Sequence, residues 1–449
     1  MKKPKLILMF VFCLTFVHQI NSQRISKNSI ALTHVTIIDV ENSQELEDMT
    51  IIIEKDKILS IKPSGSIDIK GIQNTIDLKG HYVIPGLIDA HVHLFAPKNR
   101  KEILTQWLYS GVTTIRDMGN DARLCQSLNK EIGQNKLIGP DIYYSAVVFG
   151  PKFLSDPRVK LGSEGFELGT APWMRLVEET SDIEKIVLEA KEVGVTGLKV
   201  YSNVSPELLT KISNHAHKNG LKMWSHSSIY PSKPSDAVNA NVDVLSHSIG
   251  MIFEKEEHMP DSFNEAIKNA VPNQDFKNTL ASDIEFRELF AKMRAKGTIF
   301  EPTLSGWSLK LRAKRPVGSD SSRGITKQIS SAAKKLDLAS MDSWSQRITK
   351  EAYKNGVTIA AGTDFTRNIK WVQDEIELLT ESGLKNIDAI KAATLNNARA
   401  IGIEDMHGSI SEGKIANLVV LSENPLKEIQ NIRAVVSVYK NGVEFKVNE

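Results

Sequence analysis

The chain reads as an α/β protein, a (β/α)8, TIM-like barrel with a small β-sandwich domain built from both termini. Three observations predict it. Short apolar strands alternate with amphipathic stretches through the middle of the chain. Strand-and-turn patterning without helices occupies both ends. Histidines gather at the ends of the central strands, where a barrel of this class keeps its chemistry.

In chain order, residues 1–23 read as a signal peptide. Lys2, Lys3 and Lys5 precede an apolar run from Leu6 to Val17 and a polar stretch ending near Gln23. That run is shorter than the roughly 20 residues needed to span a bilayer, so no retained membrane span is expected. An exported protein, periplasmic or secreted, follows. Without the peptide only Cys125 remains, so no intramolecular disulfide can form.

Residues 24–82 and 405–449 form the expected small β domain. Its strands are read at Val35–Val40, Thr50–Glu54, Ile58–Ile61 and Thr75–Leu78, then at Ala416–Leu421, Ala434–Tyr439 and Val443–Val447. Asn441-Gly442 between the last two is a hairpin signal. Residues 83–404 form the barrel. Its eight strands are read at Tyr82–Leu94, Val112–Met118, Ile142–Phe149, Thr196–Tyr201, Leu221–Ser227, Val242–His247, Thr298–Leu304 and Val357–Phe365. A doubly wound sheet would place a Gly-rich phosphate loop after its first strand, and none is present.

Composition excludes little but matters. With 41% hydrophobic and 24% charged residues the chain is ordinarily globular. A net charge of +2 gives no field for nucleic acid.

The chemistry begins at His91-Val92-His93. On a strand, an i, i+2 pair points to one face, and two imidazoles are half of a tetrahedral metal site. Such pairs also occur as packing or surface residues, so the pair alone decides nothing. Reading every barrel strand end adds Lys199, His226, His247 and Asp364, the last after the small run Ala360-Ala361-Gly362-Thr363. A carboxylate there is costly unless paired or metal-bound. His215 and His217 diverge on a helical stretch and are read as surface or packing residues.

Val83-Ile84-Pro85-Gly86-Leu87-Ile88-Asp89-Ala90-His91-Val92-His93, Gly111–Asp117, Ala361–Asp364, Ala392–Asn396 and Gly413–Leu421 together resemble the amidohydrolase superfamily. Asn417 stands where that family's closing strand usually has Asp. The branch it is most similar to is imidazolonepropionase-like and prolidase-like, many of whose members hydrolyse dipeptides.

The resemblance implies a binuclear centre of two divalent ions, Zn²⁺ first among them. His91, His93 and Asp364 would hold one ion, His226 and His247 the other, with N6-carboxylated Lys199 between. It implies attack by an activated water, with Asp364 moving the proton. Lys199 could instead snorkel out of the barrel. Tyr201 is read either as donor to the developing oxyanion or as an aromatic plug. A mononuclear deaminase would need a Glu near His226, and Ser227-Ser228-Ile229-Tyr230 holds none.

Long insertions after strands three and seven are expected to shape the pocket. Trp173 in the first, Arg116 at the end of strand two, and the basic run Lys310, Arg312, Lys314, Arg315, Arg323 and Lys327 are the candidate substrate contacts. A small-molecule or dipeptide substrate is expected, with a homo-oligomer left open. An esterase or lactonase on the same site, or a barrel kept only for binding, are the alternatives.

Overall fold

A computed structural model describes residues 26–94, 99–308, 337–364 and 371–447. The signal-peptide segment and the basic run lie outside them.

Two sheets organise the chain. The first is eight-stranded and joins both ends of the sequence. Its strands are β1 (Ile30–Asp39), β2 (Gln44–Glu54), β3 (Lys57–Pro63), β4 (Asn74–Asp77) and β5 (Tyr82–Pro85), followed near the C-terminus by β15 (Leu418–Leu421), β16 (Val435–Lys440) and β17 (Val443–Lys446). β5 is the seam: it runs parallel to β1 on one side and antiparallel to β15 on the other. The sheet curls until Ile58 of β3 exchanges backbone hydrogen bonds with Gly413 and Lys414. Leu32, Ile37, Ile51, Ile53, Val83, Leu418, Val420 and Tyr439 fill the space enclosed. The two layers of the expected sandwich are thus one continuous curled sheet.

The second sheet is the barrel. Its parallel staves are β6 (Leu87–Val92), β7 (Val112–Asp117), β8 (Asp141–Phe149), β11 (Gly197–Val200), β12 (Lys222–His226), β13 (Val244–Ser246) and β14 (Ile299–Glu301). The insertion after β8 supplies β9 (Thr170–Ala171) and β10 (Met174–Leu176), a hairpin laid along β8. Helices between the staves bury one apolar stripe each. Pro206–Lys218, capped by Ser205 Oγ accepting from Leu208 N, buries Leu208, Leu209, Ile212 and Ala216. Among the described residues no helix is long and apolar enough to cross a membrane.

Two expectations shift. The run read as one strand from Tyr82 to Leu94 is split at Gly86, with β5 in the terminal sheet and β6 in the barrel. The eighth stave is a bridge rather than a strand. Phe300 N donates to Thr358 O, Ala360 N to Phe300 O, and Ala90 N to Ala361 O, so residues 358–361 join the seventh stave to the first. Asn397 supplies what a full strand would have given. Its Nδ2 donates to Ile88 O and Ala361 O, and its Oδ1 accepts from Ala361 N. Small residues let the chain pass here. A Cβ on Gly362 would stand 2.6 Å from His91 Cβ and 3.0 Å from the Glu301 carboxyl carbon.

Candidate metal centre and active site

The six residues read from the strand ends meet at the C-terminal mouth of the barrel, as stave direction requires. His91 and His93, two apart on the first stave, have ring centres 5.3 Å apart. His91 lies 4.9 Å from His247, and His247 lies 5.0 Å from His226. Asp364 Oδ1 is 3.4 Å from His93 Nε2 and 3.8 Å from His91 Nε2. One ligand atom from each of His91, His93 and Asp364 lies within 4.8 Å of the other two. Tetrahedral Zn²⁺ with bonds of about 2.0 Å sets its ligands about 3.3 Å apart, so the trio suits a cation with small movements.

The outer ring nitrogens fix how the inner ones face. His91 Nδ1 is 2.7 Å from Glu301 Oε2, and His226 Nδ1 is 2.8 Å from Tyr201 O. Both partners only accept, so Nδ1 carries the proton and Nε2 keeps its lone pair for a ligand. His247 Nδ1 meets Thr303 Oγ1 at 2.9 Å. Burial holds His91 down at about 4 although Glu301 pulls the other way, and it holds His226 and His247 well below the usual imidazole range. Neutral imidazoles are the form that binds metal. Backbone strain gathers here too: His247, Thr303 and Asp364 take φ of 76°, 51° and 48°.

Lys199 does not snorkel. It is fully buried in the barrel interior, and its Nζ donates to Ser246 Oγ at 2.8 Å. Burial lowers it to about 7, with the charge of Arg116 acting in the same direction. A substantial neutral amine population, the form that captures CO₂, follows.

Glu301 was not among the residues singled out from the sequence. At the end of β14 it accepts from His91 Nδ1, from Ser246 Oγ at 2.8 Å and from Arg116 Nη2 at 2.7 Å. Burial opposes its ionisation, but Arg116 and His91 outweigh that and hold it at about 2. An acid closing the apolar run Thr298-Ile299-Phe300 was the available signal. Asp89 was missed as well. It accepts from His91 N, Thr363 N and Thr363 Oγ1, clasping the stave that carries the histidine pair to the segment that carries Asp364.

Three expected contacts are corrected. Arg116 is wholly buried, with Nε on Ala90 O, Nη1 on Ala400 O and Nη2 on Glu301, and its guanidinium lies over Trp224. It braces the barrel interior and presents nothing to a substrate. The indole of Trp173 is buried against Phe166 and donates to Gly162 O. Tyr201 Oη donates to Met118 O at 3.0 Å while its ring stacks on His226 at 5.0 Å, which is the plug and not the oxyanion donor.

The amidohydrolase family model matches residues 82–444. The chain belongs to the amidohydrolase family. That family is typically metal-dependent. The chain is 37% identical to the ochratoxinase of Aspergillus niger over 99 residues, 21% of either chain, so the match reaches about a fifth of that enzyme. In three dimensions it resembles a Xaa-Pro dipeptidase crystallised with bound methionine (TM-score 0.72, 22% identity), covering 93% of this chain and all of that one. The A. niger ochratoxinase structure superposes at TM-score 0.70 and 20% identity, covering 93% and 96%. Those likenesses support the barrel fold of this amidohydrolase.

Proposed function

We propose that this chain is an exported, metal-dependent amidohydrolase that cleaves the C–N bond of dipeptides or N-acyl amino acids. One observation carries it: His91, His93, His226, His247 and Asp364, scattered from the first stave to the eighth, turn to one mouth of the barrel, with Lys199 buried in the barrel interior. His91, His93 and Asp364 would hold one divalent ion, and His226 and His247 the other, with a carbamate on Lys199 Nζ between them. Two such ions, Zn²⁺ being suited to imidazole and carboxylate ligands, would supply Lewis acidity and an acidified water.

The chain's own groups do the rest. Glu301, Thr303 and the Tyr201 carbonyl keep the three ring nitrogens oriented. Burial opposes ionisation of Asp364, but a hydrogen bond from His93 and the neighbouring histidines hold its carboxyl well below the usual range. It is therefore ionised, with an oxygen open to take a proton in transit and pass it to the leaving nitrogen. Export rests on the N-terminal charge and apolar pattern.

Metal analysis joined to a substrate screen tests this reading. Metal-replete protein should hold two divalent ions per chain and hydrolyse dipeptides or N-acyl amino acids faster than matched esters. One ion per chain, or turnover of esters alone, would overturn it.

A further inference from the structure

The insertion after β8 brings a cation to the rim of the site that the proposed chemistry leaves unused. Arg158 Nε and Nη2 donate to Asp156 Oδ1 and Oδ2 at 2.8 and 2.9 Å. Its guanidinium carbon lies 4.9 Å from the ring centre of Phe263, 5.0 Å from Phe153 and 5.4 Å from Tyr201. Tyr201 in turn stacks on His226, so a single ring separates the guanidinium from a candidate ligand. The side chain is 26% exposed, whereas that of Asp156 is 8% exposed.

Three faces of aromatic carbon fix the plane of the guanidinium, and Asp156 fixes its rotation. Of five N–H donors, two serve Asp156. The Nη1 pair and the second Nη2 hydrogen have no hydrogen bond among the described residues. One hydrogen on each Nη forms the end-on edge of the fork, which matches the two oxygens of a carboxylate. A solvated surface arginine would need neither the cage nor the buried acid.

We propose that the free edge of Arg158 binds the carboxylate of the substrate's C-terminal amino acid, an assignment that rests on the hydrolase reading above. The dipeptides and N-acyl amino acids proposed above share that carboxylate, and Arg158 is the side chain that reads it.

Equilibrium binding separates the two ideas. The full, metal-loaded chain is titrated with free L-amino acids and with the matching amino alcohols, which lack the carboxylate and offer no amide to cleave. In the wild type the best acid should bind roughly tenfold or more tighter than its alcohol. Arg158→Met should bring the two within about twofold, and Arg158→Lys, which keeps charge without the fork, should fall between. In turnover, Arg158→Met should raise KM for a dipeptide far more than for its C-terminal amide. Equal binding of acid and alcohol by the wild type, or an unchanged preference in Arg158→Met, overturns the assignment. Should Arg158→Met not fold, a full preference in Arg158→Lys overturns it instead. A clear acid preference in a chain that hydrolyses neither dipeptides nor N-acyl amino acids would sink the hydrolase reading and leave the carboxylate site standing.

Discussion

His91 Nδ1 and Glu301 Oε2 lie 2.7 Å apart, both fully buried, and the other oxygen of that carboxylate receives Arg116 Nη2 at 2.7 Å. One acid therefore aims a candidate ligand and neutralises a buried guanidinium. Glu301→Gln keeps the shape and removes the charge. We expect metal affinity to fall about 10–100-fold in a chelator competition. Urea unfolding of the metal-free variant should show a loss of about 3–5 kcal/mol from the uncompensated Arg116. Wild-type values in both measurements would deny Glu301 this double role.

Lys199→Ala removes the nitrogen on which the bridging carbamate would form. Elemental analysis should then find fewer than two ions per chain, with most activity gone. Acetate or formate should restore part of it by lending two carboxylate oxygens. A Lys199→Ala enzyme with full metal and full turnover would rule out the bridge.

Asp364→Asn is nearly isosteric and cannot take the proton. At full metal loading we expect kcat to drop on the order of 10²–10⁴. Near-normal kcat would move proton transfer to another group.

Tyr201→Phe tests a negative expectation. Because the hydroxyl is spent on Met118 O, its removal should change kcat by less than about tenfold and cost about 1 kcal/mol of stability. A hundredfold loss in kcat at unchanged stability would restore the oxyanion role to that hydroxyl.

Glu375 gives a pH signature away from the candidate ligands. Its carboxyl is buried, accepting from Leu304 N and Ser305 N at 2.8 Å each. Burial nevertheless raises it from 4.5 to about 8. The folded chain thus keeps a proton that the unfolded chain releases in that window. This contribution to stability is fully present below about pH 4.5 and is lost as pH rises through about 8. Glu375→Gln should flatten the alkaline decline in unfolding free energy measured from about pH 5 to about pH 9. Parallel curves for the two proteins would refute the assignment.

The barrel was legible because its staves are short apolar runs and its candidate ligands sit where those runs end. His91, His93, Lys199, His226, His247 and Asp364 each announce themselves within a few residues of sequence. Arg116 did not, because its partners Glu301 and Ala400 lie 185 and 284 residues away and only folding shows that the cation is already consumed. Glu301 was hidden for the same reason, seen from the other end of the pair. Arg158 draws its setting from Phe263 and Tyr201, which no local pattern links to it. The break at Gly86 was masked by an unbroken apolar run that serves two sheets in succession.

That break has a consequence for the order in which the molecule is made. β5 leads through a single residue into the stave bearing His91 and His93, and one of its two neighbours is β15, among the last strands to be synthesised. Loop closure over so many residues must precede any gain from that pairing. The histidine pair appears early in translation, yet the sheet that anchors its stave is complete only when nearly the whole chain has emerged. Assembly of the reactive mouth is thereby timed by the far end of the polypeptide.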